Sequence, residues 1–168
     1  MAIYCVILGN RLPIGGLNMD RLKHEAYVFG MVLLLANKLQ IWGDGILEDI
    51  TLKQWFLLML ITKMAQKPTI KEIADFSGTS RQNTKKMLEQ LAKRNYVKIT
   101  KSKIDERALN VVLTKKTFSY FADIEKLTYD SLRTLFTEIH DDELITTEKT
   151  LEKILAVFNV SPLKMEEI

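Results

Sequence analysis

Residues 69–100 read TIKEIADFSGTSRQNTKKMLEQLAKRNYVKIT, and this stretch decides the fold. Thr69 followed three residues later by Glu72 is a capping box, so a short helix is expected from there to about Phe76. Gly78 then breaks the chain, and Ser80 is placed to cap a second helix running from Arg81 to Arg94. The inward face of that helix is Thr84, Met87, Leu88 and Leu91, at spacings of three and four. Asn95 stands where the chain must leave the helix, and Asn tolerates the left-handed conformation better than most residues other than Gly.

From Val97 the period changes from helical to two. Val97 and Ile99 alternate with Lys98 and Thr100, and beyond a polar loop Leu109, Val111 and Leu113 alternate with Ala108, Asn110 and Val112. This predicts a β-hairpin with a charged loop at Lys101–Arg107. A short helix, a tight turn, a second helix and a hairpin make a winged helix-turn-helix.

Working outward, Thr51 and Gln54 form another capping-box pair ahead of an apolar helix from Leu52 to about Ala65. Upstream, Leu22, Val28, Met31, Leu35 and Leu39 mark a long helix from Asp20 to about Trp42, expected to end at Gly43-Asp44-Gly45. Downstream, Thr114 is placed to cap a helix from Lys115 to about Ile139, striped by Phe118, Phe121, Ile124, Leu127, Leu132, Leu135 and Ile139. His140-Asp141-Asp142 should break it, and Thr147 should open a last helix carrying Leu151, Ile154, Leu155 and Phe158. The expected architecture is mainly α with a small β-hairpin wing. It comprises a leader of doubtful origin at 1–18, an N-terminal helix at 19–50 and the winged helix-turn-helix at 51–116. C-terminal helices fill 117–168. The apolar stripes of both terminal regions exceed what one small winged domain can bury, so they are expected to form a homodimer.

The 168-residue chain carries a net charge of +3, unevenly spread. Residues 69–116 hold twelve Lys or Arg against five Asp or Glu, a net +7, while the rest is −4. A basic middle between acidic flanks is the electrostatic footprint of a polyanion-binding module. The second helix of a helix-turn-helix places its N-terminal residues in the DNA major groove. Here those residues are Ser80, Arg81, Gln82, Asn83, Lys85 and Lys86. Gln and Asn pair with adenine and Arg with guanine, while lysines neutralise phosphates. Lys101, Lys103 and Arg107 in the hairpin loop are placed to reach a neighbouring minor groove.

The segment Asp105-Glu106-Arg107-Ala108-Leu109-Asn110-Val111-Val112-Leu113-Thr114 resembles the wing signature of the MarR (multiple antibiotic resistance regulator) family, Asp-x-Arg followed after five residues by Leu-Thr. Thr69–Ala74, Ser80 and Leu91-x-x-x-Asn95-Tyr96-Val97 are similar to the same family, with Asn95 where Gly is usual. The resemblance spans about Asp20 to Val160. It implies a triangular homodimer that binds double-stranded DNA at a palindromic operator, as a repressor. It also implies that Arg107 enters the minor groove and that Asp105 holds that arginine by a charge-assisted hydrogen bond. Many relatives release DNA when a small aromatic or anionic effector binds. Tyr27, Trp42, Trp55, Phe118 and Phe121 are the candidate lining of such a pocket, although aromatics at helical spacing also serve as plain core.

No glycine-rich phosphate loop, metal-ligand spacing or nucleophile–base pair is present, so neither an enzyme nor a cofactor or metal site is expected. His24 and His140 read as surface or packing residues. A single cysteine, Cys5, excludes an internal disulfide and suits a reducing, cytoplasmic setting. The apolar stretch Ala2–Leu8 falls far short of the roughly 20 residues needed to span a bilayer, and no membrane partner is expected. The alternative is a winged-helix protein-interaction module without a DNA role.

Overall fold

The computed structural model describes residues 19–64, 67–102 and 108–158. Among these, six helices and one hairpin follow in order. They are α1 (Met19–Ile46), α2 (Leu52–Thr62), α3 (Ile70–Ser77), α4 (Arg81–Lys93), β1 (Val97–Lys101), β2 (Leu109–Leu113), α5 (Lys115–Leu135) and α6 (Asp141–Ala156). The fold is mainly α with a two-stranded antiparallel wing. The chain divides into two compact units at Trp55–Phe56, inside α2.

In the first unit, α1 does not stop at Gly43-Asp44-Gly45 but continues to Ile46. Two interactions hold the helix through its glycines. The Asp44 carboxylate accepts from Gln40 Nε2 at 2.7 Å and from the backbone N–H of Leu52 at 2.6 Å. Gly43 is buried against Leu52, whose Cδ2 lies 2.7 Å from where a Cβ would stand. The glycine thus permits close approach rather than a turn. The expected Thr51–Gln54 capping box is present, each residue's backbone N–H donating to the other's side chain. α2 ends at Thr62, three residues early, where Lys63 and Met64 bond back to Leu60 and Ile61 in tighter turns.

Tyr27, Val28, Phe29 and Met31–Leu35 of α1 are all exposed in the single chain. The helix is apolar around its whole circumference there, and Asp20–Ile46 is long and apolar enough to cross a membrane by length and composition. A helix of this kind requires cover from outside itself.

The second unit is built on a core of Leu57, Leu58, Leu60 and Ile61 from α2, Ile70, Ile73 and Ala74 from α3, and Met87, Leu88 and Leu91 from α4. Tyr96, Val97 and Val111 complete it from the hairpin. Each fully buried large aliphatic contributes about 1.5–3 kcal/mol as an upper bound. α3 packs on α4, α4 on β1 and α3 on β2. Val97 pairs with Leu113 and Lys101 with Leu109, so Lys101 closes β1 rather than opening the loop. The wing gains a third partner that the period did not reveal. Thr69 bridges to Asn110, and Val111 donates to the Pro68 carbonyl at 2.9 Å.

Two expected caps are replaced. The Thr114 hydroxyl caps nothing on α5, but donates to the Asn95 carbonyl at 2.6 Å. α5 ends at Leu135 rather than near Ile139, and α6 begins at Asp141, six residues before Thr147. The Glu143 carboxylate accepts from the His140 N–H at 3.0 Å, and Asp141, Asp142 and Glu143 fill the first turn, where the helix dipole favours negative charge. His140 therefore starts a helix as well as following one. Leu127, Leu132 and Leu135 of α5 and Leu151, Ile154 and Leu155 of α6 are exposed, as are Val157 and Phe158 beyond it.

Candidate nucleic-acid interface

The helix-turn-helix is fixed at its turn. Thr69 and Glu72 cap α3 reciprocally, and the Glu72 carboxyl is held below its ordinary value by the Thr69 backbone N–H and then by the Thr69 hydroxyl. Gly78 ends α3 at φ 67°, a left-handed conformation that costs glycine little, and both its N–H and that of Thr79 reach the Ala74 carbonyl. Hydroxyls then link the two helices. Ser77 Oγ lies 2.9 Å from Thr79 Oγ1, which lies 2.6 Å from Thr84 Oγ1. Thr84 is fully buried within α4, so this chain satisfies a hydroxyl that would otherwise be stranded. Sequence reasoning placed Thr84 on the inward face and missed its partner. A threonine among Met87, Leu88 and Leu91 was the available signal.

Ser80 caps α4 by accepting from the Asn83 N–H at 3.2 Å. Ser80, Arg81, Gln82, Asn83, Lys85 and Lys86 are all exposed, gathered on the first turns of one helix. Lys85 lies 3.7 Å from Glu89, one turn on. Thr84, Met87, Leu88 and Leu91 are all buried, so the expected division of α4 into a core face and a free polar face holds.

The far end of α4 is braced. Asn95 takes φ 63°, the left-handed helix exit. Three successive carbonyls there accept from the start of α5. Lys116 Nζ donates to Arg94 at 3.1 Å, Thr114 Oγ1 to Asn95, and Thr114 N–H and Thr117 Oγ1 to Tyr96. The Lys116 ammonium sits 4.3 Å from the centroid of the buried Tyr96 ring, a cation–π contact, and Tyr120 meets that ring edge-on at 5.3 Å. The sequence reading did not find this cluster.

In the wing, Lys101 is exposed at the end of β1. Lys103, Asp105 and Arg107 lie outside the described residues. Of the candidate effector residues, Tyr27, Trp42 and Trp55 belong to the first unit, and Phe118 and Phe121 to the second. Tyr27 and Phe118 are exposed, while Trp42, Trp55 and Phe121 are half-buried. Tyr27 and Trp42 are fifteen residues apart on α1, about 22 Å along the axis, too far for both to touch one small molecule from the same subunit. Among the described residues no cluster of His, Cys, Asp and Glu could hold a metal ion.

A capped helix, a glycine turn, a second helix with a free polar face and a two-stranded wing define a winged helix-turn-helix protein. Residues 48–108 match the family model described as the MarR family. Solved structures share the fold. An organohalide-sensing transcriptional regulator bound to 2,4-dichlorophenol matches with a TM-score of 0.74 at 13% identity, over 92% of this chain and 98% of its own. A MarR transcriptional regulator from Methanosarcina mazei Go1 gives 0.69 at 20% identity, covering 77% of this chain and 94% of that one. The S. aureus MepR–DNA complex gives 0.67 at 20% identity, with coverages of 79% and 96%. No curated protein matches the chain.

Proposed function

We propose that the protein is a DNA-binding transcription regulator, acting in the cytoplasm as a homodimer on a palindromic operator. The observation that carries this reading is the exposed N-terminal face of α4, with Ser80, Arg81, Gln82, Asn83, Lys85 and Lys86 inside a segment of net charge +7. Such a face offers a helix N-terminus and cations for phosphates, and amides for base edges. It presents no aromatic or apolar anchor of the kind a protein-docking surface uses.

Lys101, Lys103 and Arg107 extend the contact into the minor groove, with Asp105 orienting Arg107. The dimer forms through 19–50 and 117–168, leaving 51–116 as the DNA-binding domain. The exposed apolar residues of α1, α5 and α6 support this, since a single chain leaves them to water. The regulator acts as a repressor and is released by a small aromatic or anionic effector. The dichlorophenol-bound neighbour supports that class of ligand.

The test is a mobility shift and selection on randomised duplex DNA, repeated across salt. A dimer making about 6–10 phosphate contacts should lose roughly 10³–10⁵ in affinity between 50 and 200 mM salt. No binding, or affinity flat in salt, refutes the reading. Sedimentation of the full chain with and without lipid vesicles tests the dimer. A discrete dimer that ignores vesicles is expected, and partition into lipid would instead assign α1 to a membrane.

A further inference from the structure

α4 carries one carboxylate, Glu89, and its position conflicts with the charge of the surface around it. At about 100° per residue, the buried Thr84, Met87, Leu88 and Leu91 cluster on one side of the helix. The opposite direction holds Gln82, Lys86, Glu89 and Lys93, all within about 30° of it. Glu89 therefore stands on the outermost ridge, the one that enters deepest if α4 lies in a groove. It is seven residues beyond Gln82, about 10 Å along the axis or about three base pairs of duplex. A carboxylate there opposes the phosphate field and weakens binding to any sequence that gives nothing in return.

We infer that Glu89 is a base-discriminating residue that selects cytosine in the operator. This rests on the DNA-binding reading proposed above. An ionised carboxylate only accepts hydrogen bonds. In the major groove guanine presents two acceptors, and thymine one acceptor and a methyl group. Adenine sets an acceptor beside its amino group. Cytosine alone offers a donor with no acceptor on the same base, so it is the base that compensates Glu89.

The Lys85–Glu89 pair prepares this exchange. At 3.7 Å, with both side chains about half exposed, it is a water-bathed contact held by little energy. On docking, Lys85 turns to a phosphate and Glu89 to the cytosine amino group. On the wrong sequence, Glu89 keeps Lys85 and the complex loses a phosphate contact.

The experiment is a parallel selection from randomised duplex with wild type and Glu89→Gln, followed by affinities for the selected operator, its single-base variants and random duplex at fixed salt. Gln is isosteric, keeps helix propensity and sits at an exposed position, so the variant folds. The wild type should prefer cytosine at one position in each half-site by about five- to hundredfold, and Glu89→Gln should erase that preference. The variant should also bind random duplex about two- to fivefold more tightly. An unchanged base preference overturns the assignment, including the case where random binding tightens alone, because Glu89 would then act only as a charge. Failure of the wild type to bind any duplex would refute the DNA-binding reading itself, a result distinct from binding that Glu89→Gln leaves unaltered.

Discussion

The hydroxyl oxygens of Thr79 and Thr84 lie 2.6 Å apart, one on the turn and the other wholly buried inside α4. This contact, with Ser77 behind it, ties the end of α3 to the second turn of the proposed reading helix. Thr84→Val keeps the shape and deletes the hydroxyl. It should lower the unfolding free energy by about 1–3 kcal/mol, because it removes a partner from a half-buried group. The check is a urea melt. An unchanged midpoint would mean that Thr79 is satisfied without Thr84.

A second stability prediction concerns the end of α1. A methyl on Gly43 would stand 2.7 Å from Cδ2, 2.8 Å from Cδ1 and 2.9 Å from Cβ of Leu52. Alanine favours a helix over glycine by about 1 kcal/mol, but overpacking of this kind costs about 1–3 kcal/mol. Gly43→Ala should therefore be neutral to destabilising, contrary to helix propensity alone. Leu52→Ala in the same chain should recover part of the loss, so the two changes should be less than additive. A clear gain in stability from Gly43→Ala alone would show that α1 and Leu52 part easily.

The capping box at α3 predicts a pH dependence. Bonds from Thr69 hold the Glu72 carboxyl below its ordinary value of 4.5. A depressed folded value means that the charged form is favoured by folding. The contribution of Glu72 is present above about pH 4.5 and is lost as pH falls through its folded value. NMR titration should place the Glu72 midpoint below 4.5, and amide exchange in the first turn of α3 should accelerate in acid. Glu72→Ala should flatten that acid response, and a midpoint at or above the ordinary value would contradict it.

At the proposed interface, helix and wing should fail differently. Gln82→Ala or Asn83→Ala should cost about 1–3 kcal/mol on the preferred operator where the amide contacts a base, and leave random duplex nearly unaffected. Arg107→Ala should weaken operator binding, and Asp105→Ala should do the same by releasing the arginine. Their double variant should lose less than the sum, because one acts through the other. Full additivity on one operator at fixed salt would remove Asp105 from the wing mechanism.

Local chemistry carried most of the fold in legible form. Thr69, Ser80, Gly78 and Asn95 each satisfy or redirect backbone groups within a few residues, and all four act where their types suggest. What escaped depends on distant partners. Gly43 ended no helix because Leu52, from across a turn, packs on it and donates its N–H to Asp44. Thr114 looked like a cap, but its hydroxyl finds Asn95 nineteen positions back. The pairing of Pro68 and Thr69 with the wing has no period to betray it, being two residues long. At the candidate interface, residue types marked the face of α4, whereas the cluster around Tyr96 required knowing that α5 returns to it.

That cluster has a mechanical consequence. Arg94, Asn95 and Tyr96 offer consecutive carbonyls, and all three are grasped from the first turn of α5. A junction clamped at three successive points has no free hinge. A push or twist arriving along α5 is therefore not absorbed there. It should reach the tail of α4 and the root of β1 together.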